Sequence, residues 1–217
     1  MMKRGLMLLL VAFLLMMAGC RRDEVVCDYD EAYVDGRCVE LTPDRLALIH
    51  AIDDTKGLTN YRIEVIIRRG DGTYEMLLSL DDEIRSFAMD GKTDYFVTSS
   101  EGCLHYVPTS DGYMVESVSC HDDPTDSYGF FHGFHSMWFA TVGDQYFMNI
   151  QHHAYVSAFF QNMLPDATVT NFILTLHDGY LHQFFFDVNV DGAIWQFEMT
   201  ISDIGQVSLV LPEGGAS

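Results

Sequence analysis

Basic residues are scarce: Lys and Arg number 12 against 32 Asp and Glu, a formal net charge of −20 over 217 residues. A surface of that sign repels nucleic-acid phosphates, and no Lys/Arg cluster offsets it, so nucleic-acid binding is excluded. Catalytic signatures are missing too: there is no nucleophile elbow, no glycine-rich phosphate loop, no SxxK and no HExxH. The chain is read as non-enzymatic and without a cofactor, leaving open only a hydrolase whose residues are dispersed in sequence. No CxxC pair occurs among the five cysteines, which argues against thiol redox or zinc chemistry. The apolar run Leu6–Met17 falls short of the roughly 20 residues a spanning helix needs.

What is present at the N-terminus is an export signal. Lys3 and Arg4 precede that apolar run, and the small residues Ala18 and Gly19 lead into Cys20. The stretch Leu15-Met16-Met17-Ala18-Gly19-Cys20 resembles the lipobox of bacterial lipoproteins, with Met17 in place of the usual Leu. That resemblance implies cleavage after residue 19 and a diacylglycerol on Cys20, placing the chain in the cell envelope, anchored on the extracytoplasmic side. An uncleaved anchor or a plain secretory signal would export it equally. Three segments follow: a signal peptide over 1–19, a lipidated stalk over 20–41, and one β-rich domain over 42–217, long enough to bury its own core.

With Cys20 assigned to lipid, four cysteines remain, an even number that reads as disulfides in an exported chain. Asp111-Gly112 is a two-residue hairpin signal, and Cys103 and Cys120 lie symmetrically about it, so they are expected to face each other and bond. Cys27 then pairs with Cys38, stapling the stalk.

The domain opens on a helix, with Thr42 as N-cap, Pro43 at N1, Leu46, Ile49 and Ile52 on one face, and Gly57 past its end. From Tyr61 onward, short strands alternate with Asp-Gly and Gly-rich turns, the mark of an antiparallel meander. Residues 121–133 break the rhythm. A helical piece is expected around Phe134 to Thr141, then a strand DQYFMNIQ, then a helix from about His153 to Leu164. Strands resume after Pro165 and end with QVSLVLP. Around Asp191-Gly192 the register sets Phe184 against Met199, Phe186 against Phe197 and Val188 against Trp195. Around Asp178-Gly179 it sets Leu176 against Leu181 and Phe172 against Phe185, on the opposite face. A sheet apolar on both faces has to cover both, one of them with helices.

This order of lipobox, helix, strands, helical excursion and further strands resembles the LolA-like group of envelope lipoproteins and lipid carriers. The likeness covers roughly residues 42–212 and rests on layout; its echoes are LTPDRLALIHAIDDTKGLTNYRIEV, HDGYLHQFFFDV and ISDIGQVSLVLP. It implies an α+β fold, a curved antiparallel half-barrel with helices packed on one side, and a lipid or lipoprotein ligand inside it. The candidate ligand wall is Phe184, Phe186, Val188, Trp195 and Phe197, for which plain core packing is the competing reading.

Nine histidines raise a metal site as a lesser alternative: His132 and His135, His152 and His153, and His177 and His182 are close in sequence. Zinc needs three or four converging ligands, and none of these pairs belongs to a known signature, so no metal ligand is assigned. The acidic runs at Asp28–Glu31 and Asp122–Asp126 lack calcium-loop spacing and read as solvated charge. Two other readings stand beside each other: a lipoprotein holding an amphiphile, and a packed envelope module whose acidic face binds another protein.

Overall fold

The computed structural model describes residues 31–34, 37–100, 102–120, 129–161 and 164–213. The chain divides between Thr42 and Pro43 into two units. In the first, β1 (Glu31–Val34) and β2 (Arg37–Glu40) form a small antiparallel hairpin with Tyr33 opposite Cys38. Cys38 is disulfide-bonded, while Cys27, Cys20 and the signal segment lie outside the described residues.

The second unit begins with α1 (Pro43–Lys56), starting at the proline that suits the first helical turn. Its buried stripe is Leu48, Ala51, Ile52 and Thr55, an i, i+3, i+4, i+7 pattern. Leu46 and Ile49, expected on that face, are only half-buried. Six strands follow as a meander: β3 (Asn60–Arg69), β4 (Gly72–Asp81), β5 (Ile84–Met89), β6 (Lys92–Ser99), β7 (Gly102–Thr109) and β8 (Gly112–Val118). The excursion is not the expected helix over Phe134–Thr141. It consists of two 3-10 turns, Phe130–Gly133 and Ser136–Trp138, leading into β9 (Phe139–Val142) and β10 (Gln145–Met148). Extended backbone at Phe134 (ψ 144°) and His135 (ψ 133°) splits the segment into short turns, and Phe130, Phe131 and Phe134 all point inward. Then come α2 (His153–Gln161), β11 (Thr168–His177), β12 (Tyr180–Val190) and β13 (Ala193–Ser202).

These strands build one curved antiparallel sheet of 11 strands, β8-β7-β6-β5-β4-β3-β13-β12-β11-β10-β9, with the helices on one side. This is the half-barrel that the LolA-like layout implies. The last strand joins its two halves by pairing with the first of the meander, Met199 facing Val65 and Phe197 facing Ile67. QVSLVLP, expected as a terminal strand, is not one. It is held by side chains instead: Val207 N–H donates to Asn60 Oδ1 and Leu209 N–H to Asp81 Oδ2, each at 2.9 Å.

The turn chemistry explains the registers. Asp90-Gly91, Asp178-Gly179 and Asp191-Gly192 place both residues at positive φ (51° and 74°, 50° and 84°, 52° and 83°), as a type I′ turn requires. The pairs Phe184–Met199, Phe186–Phe197 and Val188–Trp195 form as expected. Asp111-Gly112 behaves differently. Gly112 already pairs with Thr109, so Ser110 and Asp111 make the turn and Cys103 faces Val118 rather than Cys120. The disulfide Cys103–Cys120 still closes, at a Cα separation of 5.2 Å, from just beyond the end of β8.

The larger departure is on β11 and β12. Leu176 faces Leu181 as expected, but Thr175 pairs with Gln183, leaving His182 as an extra residue. A second irregularity between Thr170 and Ile173 contains Asn171 at φ 54°. A one-residue slip reverses every side chain after it. Ile173, not Phe172, therefore faces Phe185, and Phe172 turns onto the face of Phe184 and Phe186, stacking on Phe186 at 5.2 Å. Val169, Phe172, Leu174, Leu181, Phe184, Phe186 and Val188 are all at most 3% exposed in a single core. The expected second apolar face does not form on these strands.

Each helix docks on the sheet through a buried hydroxyl. Thr55 Oγ1 donates to Ala51 O at 2.6 Å and accepts the Leu181 N–H at 2.9 Å, at the irregularity. Ser157 Oγ donates to His153 O at 2.9 Å and accepts the Val169 N–H at 2.8 Å. Both satisfy a buried strand donor that the bulged ladder leaves over.

Candidate functional site

On the inner face of the sheet, alternation aligns Tyr61, Leu80 and Arg85 in one cross-strand row, and Ile63, Leu78 and Phe87 in the next. Above the other half of that face sits an aromatic plug. Phe130 is its hub, fully buried, with ring centroids 5.9 Å from Phe184 and Phe186, 6.1 Å from Phe172 and 6.2 Å from Phe160. The plug is fixed to α1 by cations on its carbonyls. Lys56 Nζ donates to Phe134 O at 3.1 Å, and the Arg45 guanidinium donates to Ser136 O and, at 2.9 Å, to Phe139 O.

Where the plug ends, a cavity of 390 Å³ remains. Tyr61, Ile63, Leu78 and Leu80 form its floor, Gly129, His132, Tyr155 and Phe159 its roof, and Arg85 its side. Larger depressions of 510 and 550 Å³ border hairpin turns and are lined by carboxylates, Glu64, Glu75 and Asp90 in the first and Asp178 and Asp203 in the second. Tyr155 shapes the roof by donating from its hydroxyl to Phe130 O at 3.1 Å. Gly133 makes room for it, since a Cβ there would lie 1.8 Å from the Tyr155 oxygen.

Among the described residues of its lining, Arg85 carries the permanent charge. Tyr61 is 3% exposed, and burial pushes its phenol up to about 12, an effect that the nearby Arg85 charge partly offsets. The phenol thus stays a hydrogen-bond donor at physiological pH. Burial likewise raises the Tyr155 phenol. Beyond Arg85 the row continues through Phe96, His105 and Glu116. His105 stacks on Phe96 at 4.2 Å and sits between Asp94 Oδ1 at 3.1 Å and Glu116 Oε1 at 3.3 Å.

The candidate wall lies elsewhere. Phe184, Phe186, Val188 and Phe197 are 0–4% exposed, beneath the plug, with Phe160 5.2 Å from Phe197 and Phe131 stacked on Phe184. Trp195 is half-buried under the Arg69 guanidinium, 5.1 Å from its ring centroid. The histidine pairs part company. His132 is at the cavity and meets the edge of Phe131, whereas His135 contacts Trp138. His152 stacks on the other side of that residue at 4.9 Å, and His153 Nε2 meets Met148 O at 3.2 Å. His177 and His182 have ring centroids 5.1 Å apart, but among the described residues no group of three or more His, Cys, Asp or Glu side chains converges. Of the acidic runs, only Glu31 is described.

Sequence reasoning missed Tyr61, Leu78, Arg85 and Tyr155. One signal was available: in EIRSFAM, Arg85 shares parity with Phe87, which puts a cation on the apolar face.

No family model matches the chain, and no curated protein sequence matches it. Among solved structures it is similar to LprF from Mycobacterium bovis, at 9% identity over 79% of this chain and 97% of that one, with a TM-score of 0.42. It is also similar to the Mycobacterium tuberculosis lipoprotein LppX, at 10% identity over 77% of this chain and 97% of that one, with a TM-score of 0.39.

Proposed function

We propose that this protein is an extracytoplasmic lipoprotein, anchored through Cys20, that binds the apolar part of an amphiphile without catalysis. The observation that carries the reading is the 390 Å³ cavity between the inner face of β3–β5 and the plug, with three floor residues at most 3% exposed. Its volume falls in the roughly 300–1,000 Å³ range of small-molecule sites, near the end that suits one chain. Native mass spectrometry after gentle extraction is expected to show a co-purifying lipid, and the delipidated protein to take up a fluorescent fatty acid. Leu78→Trp, which fills the floor, is expected to abolish uptake. A clean apo mass with no uptake would defeat the proposal. Anchoring is checked separately by Cys20→Ala, which is expected to lose lipid labelling.

One observation favours a second reading. The space before Phe184, Phe186 and Phe197 is filled by Phe130, Phe160 and Phe172, as in a packed module that works through its acidic surface. In that case the fatty-acid probe fails and a basic envelope protein is retained in a pull-down.

A further inference from the structure

We propose that His177 and His182 form a two-imidazole site for a divalent transition metal ion, copper(II) above all, on the solvent side of the turn between β11 and β12. Neither ring lines the cavity or packs in the aromatic core. Leu176 faces Leu181, which is fully buried, so strand alternation turns the next residue on each strand, His177 and His182, away from the core. The irregularity leaves His182 without a partner in the ladder, and the two ring centroids come to 5.1 Å. Two imidazoles bound to one ion through nitrogen at about 2.0–2.1 Å, at a tetrahedral angle, hold their centroids roughly 5 Å apart. The spacing of a ligand pair is therefore already present.

The hydrogen bonding of the rings suits a metal as well. His182 Nδ1 lies 3.0 Å from Ile201 O, and a carbonyl only accepts, so Nδ1 carries the hydrogen and the neutral ring keeps its lone pair on Nε2. Tying one nitrogen of a ligand imidazole to a backbone carbonyl fixes its tautomer and its orientation. On the other ring, His177 Nε2 lies 3.5 Å from Asp178 Oδ2, about the edge length of a tetrahedron of ligands. Among the described residues no third side chain converges on the pair, but that of Asp178 is 85% exposed and can turn onto an ion at the cost of rotamer entropy. Water fills the remaining positions. The pair borders the 550 Å³ depression, which also holds Asp203, engaged by Arg62 at 2.6 Å, and the chain's net charge of −20 draws cations towards it. Imidazole ligands suit copper, nickel and zinc, and the order of affinities puts copper(II) first. An ion here clamps β11 to β12 at the irregularity where the Leu181 N–H bonds to Thr55. His135 and His152, which lie against Trp138, provide the internal control.

The purified full-length protein, stripped with a chelator, is titrated with copper(II) by isothermal calorimetry, and the loaded sample is read by electron paramagnetic resonance. One equivalent is expected to bind, with the signature of two imidazole nitrogens. His177→Ala, at an exposed position, and His182→Asn, which keeps a side-chain donor for Ile201 O, are each expected to weaken binding at least about tenfold, the lower end of what a lost supporting group costs a metal site. Circular dichroism checks that both variants stay folded, and His152→Ala is expected to leave the affinity unchanged. Absence of stoichiometric uptake, a spectrum without two imidazole nitrogens, undiminished uptake in either folded variant, or a loss on His152→Ala overturns the site.

Discussion

Thr55 offers the sharpest test of how the helices are attached to the half-barrel. Its hydroxyl is fully buried and is the acceptor for the Leu181 N–H, a donor that the irregularity at His182 takes out of the strand ladder. Thr55→Val keeps the shape and removes the acceptor. Ala51 O loses a second donor but keeps its place in the helix, so the cost falls on the Leu181 N–H, stranded away from water. An unsatisfied buried donor costs about 1–3 kcal/mol. For a domain of this size each kcal/mol lowers Tm by roughly 2–4 °C, so a fall of about 2–12 °C is expected. Thermal unfolding followed by circular dichroism measures the fall, and amide hydrogen exchange should show Leu181 losing protection in the variant. Thr55→Ser keeps the hydroxyl and should keep that protection, although it gives up one buried methyl. If Thr55→Val unfolds within about 0.5 kcal/mol of the wild type and Leu181 stays protected, the hydroxyl does not hold α1 to β12.

Three further outcomes are expected. Replacing Cys103 and Cys120 together with Ser should cost about 3 kcal/mol by freeing the β7–β8 loop, read as a shift in the urea midpoint; an unchanged midpoint would show that the staple adds nothing. Gly133→Ala should cost about 1–3 kcal/mol, because the Tyr155 ring it strikes is wedged against Trp138 at 5.0 Å and Phe159 at 5.2 Å; in the double variant with Tyr155→Ala, the alanine at 133 should add almost nothing. The Tyr61 phenol, at about 12 when folded against an ordinary 10.0, holds its proton more tightly in the native state; its contribution is complete below pH 10 and is lost between pH 10 and 12, amounting to about 3 kcal/mol. A phenolate absorbance titration should show Tyr61 as the last of the raised tyrosines to ionise, in a step near pH 12 that Tyr61→Phe removes, and persistence of that last step in the variant would reassign it.

The meander was legible because Asp-Gly turns have a backbone reason to exist: three of them carry positive φ at both residues, and the registers they set on β12 and β13 hold without a slip. What could not be read was parity beyond a bulge. Nothing in TVTNFILTLH marks the slip between Thr175 and Leu176, since the donor it frees is satisfied by Thr55, 126 residues away in sequence. Asn171 was a fainter clue, as asparagine tolerates the left-handed region better than its neighbours do. What covers the candidate wall on β12 and β13 was hidden for a different reason. The aromatic residues of β12 and β13 are the most apolar surface in the sequence, but FFHGFH supplies rings of matching size, and apolar surfaces that can meet do meet.

The position of the cavity follows from that match. The plug is short: two 3-10 turns and the nine-residue α2, fastened to α1 and lying over β10–β13 and the edge of β3, as the Tyr61–Phe131 contact at 6.4 Å shows. The sheet is 11 strands wide. Its β5–β8 wing therefore extends past the plug, and the inner face changes from a packed aromatic core to a half-covered surface where Met89 and Met114 are 40% and 45% exposed. A void is expected at that boundary, where the plug no longer reaches the sheet. Arg85 stands there, between the apolar floor and the His105, Asp94 and Glu116 cluster. An apolar tail laid on Ile63, Leu78 and Leu80 would fill that void, so Leu78→Trp, which takes the same space, should exclude it.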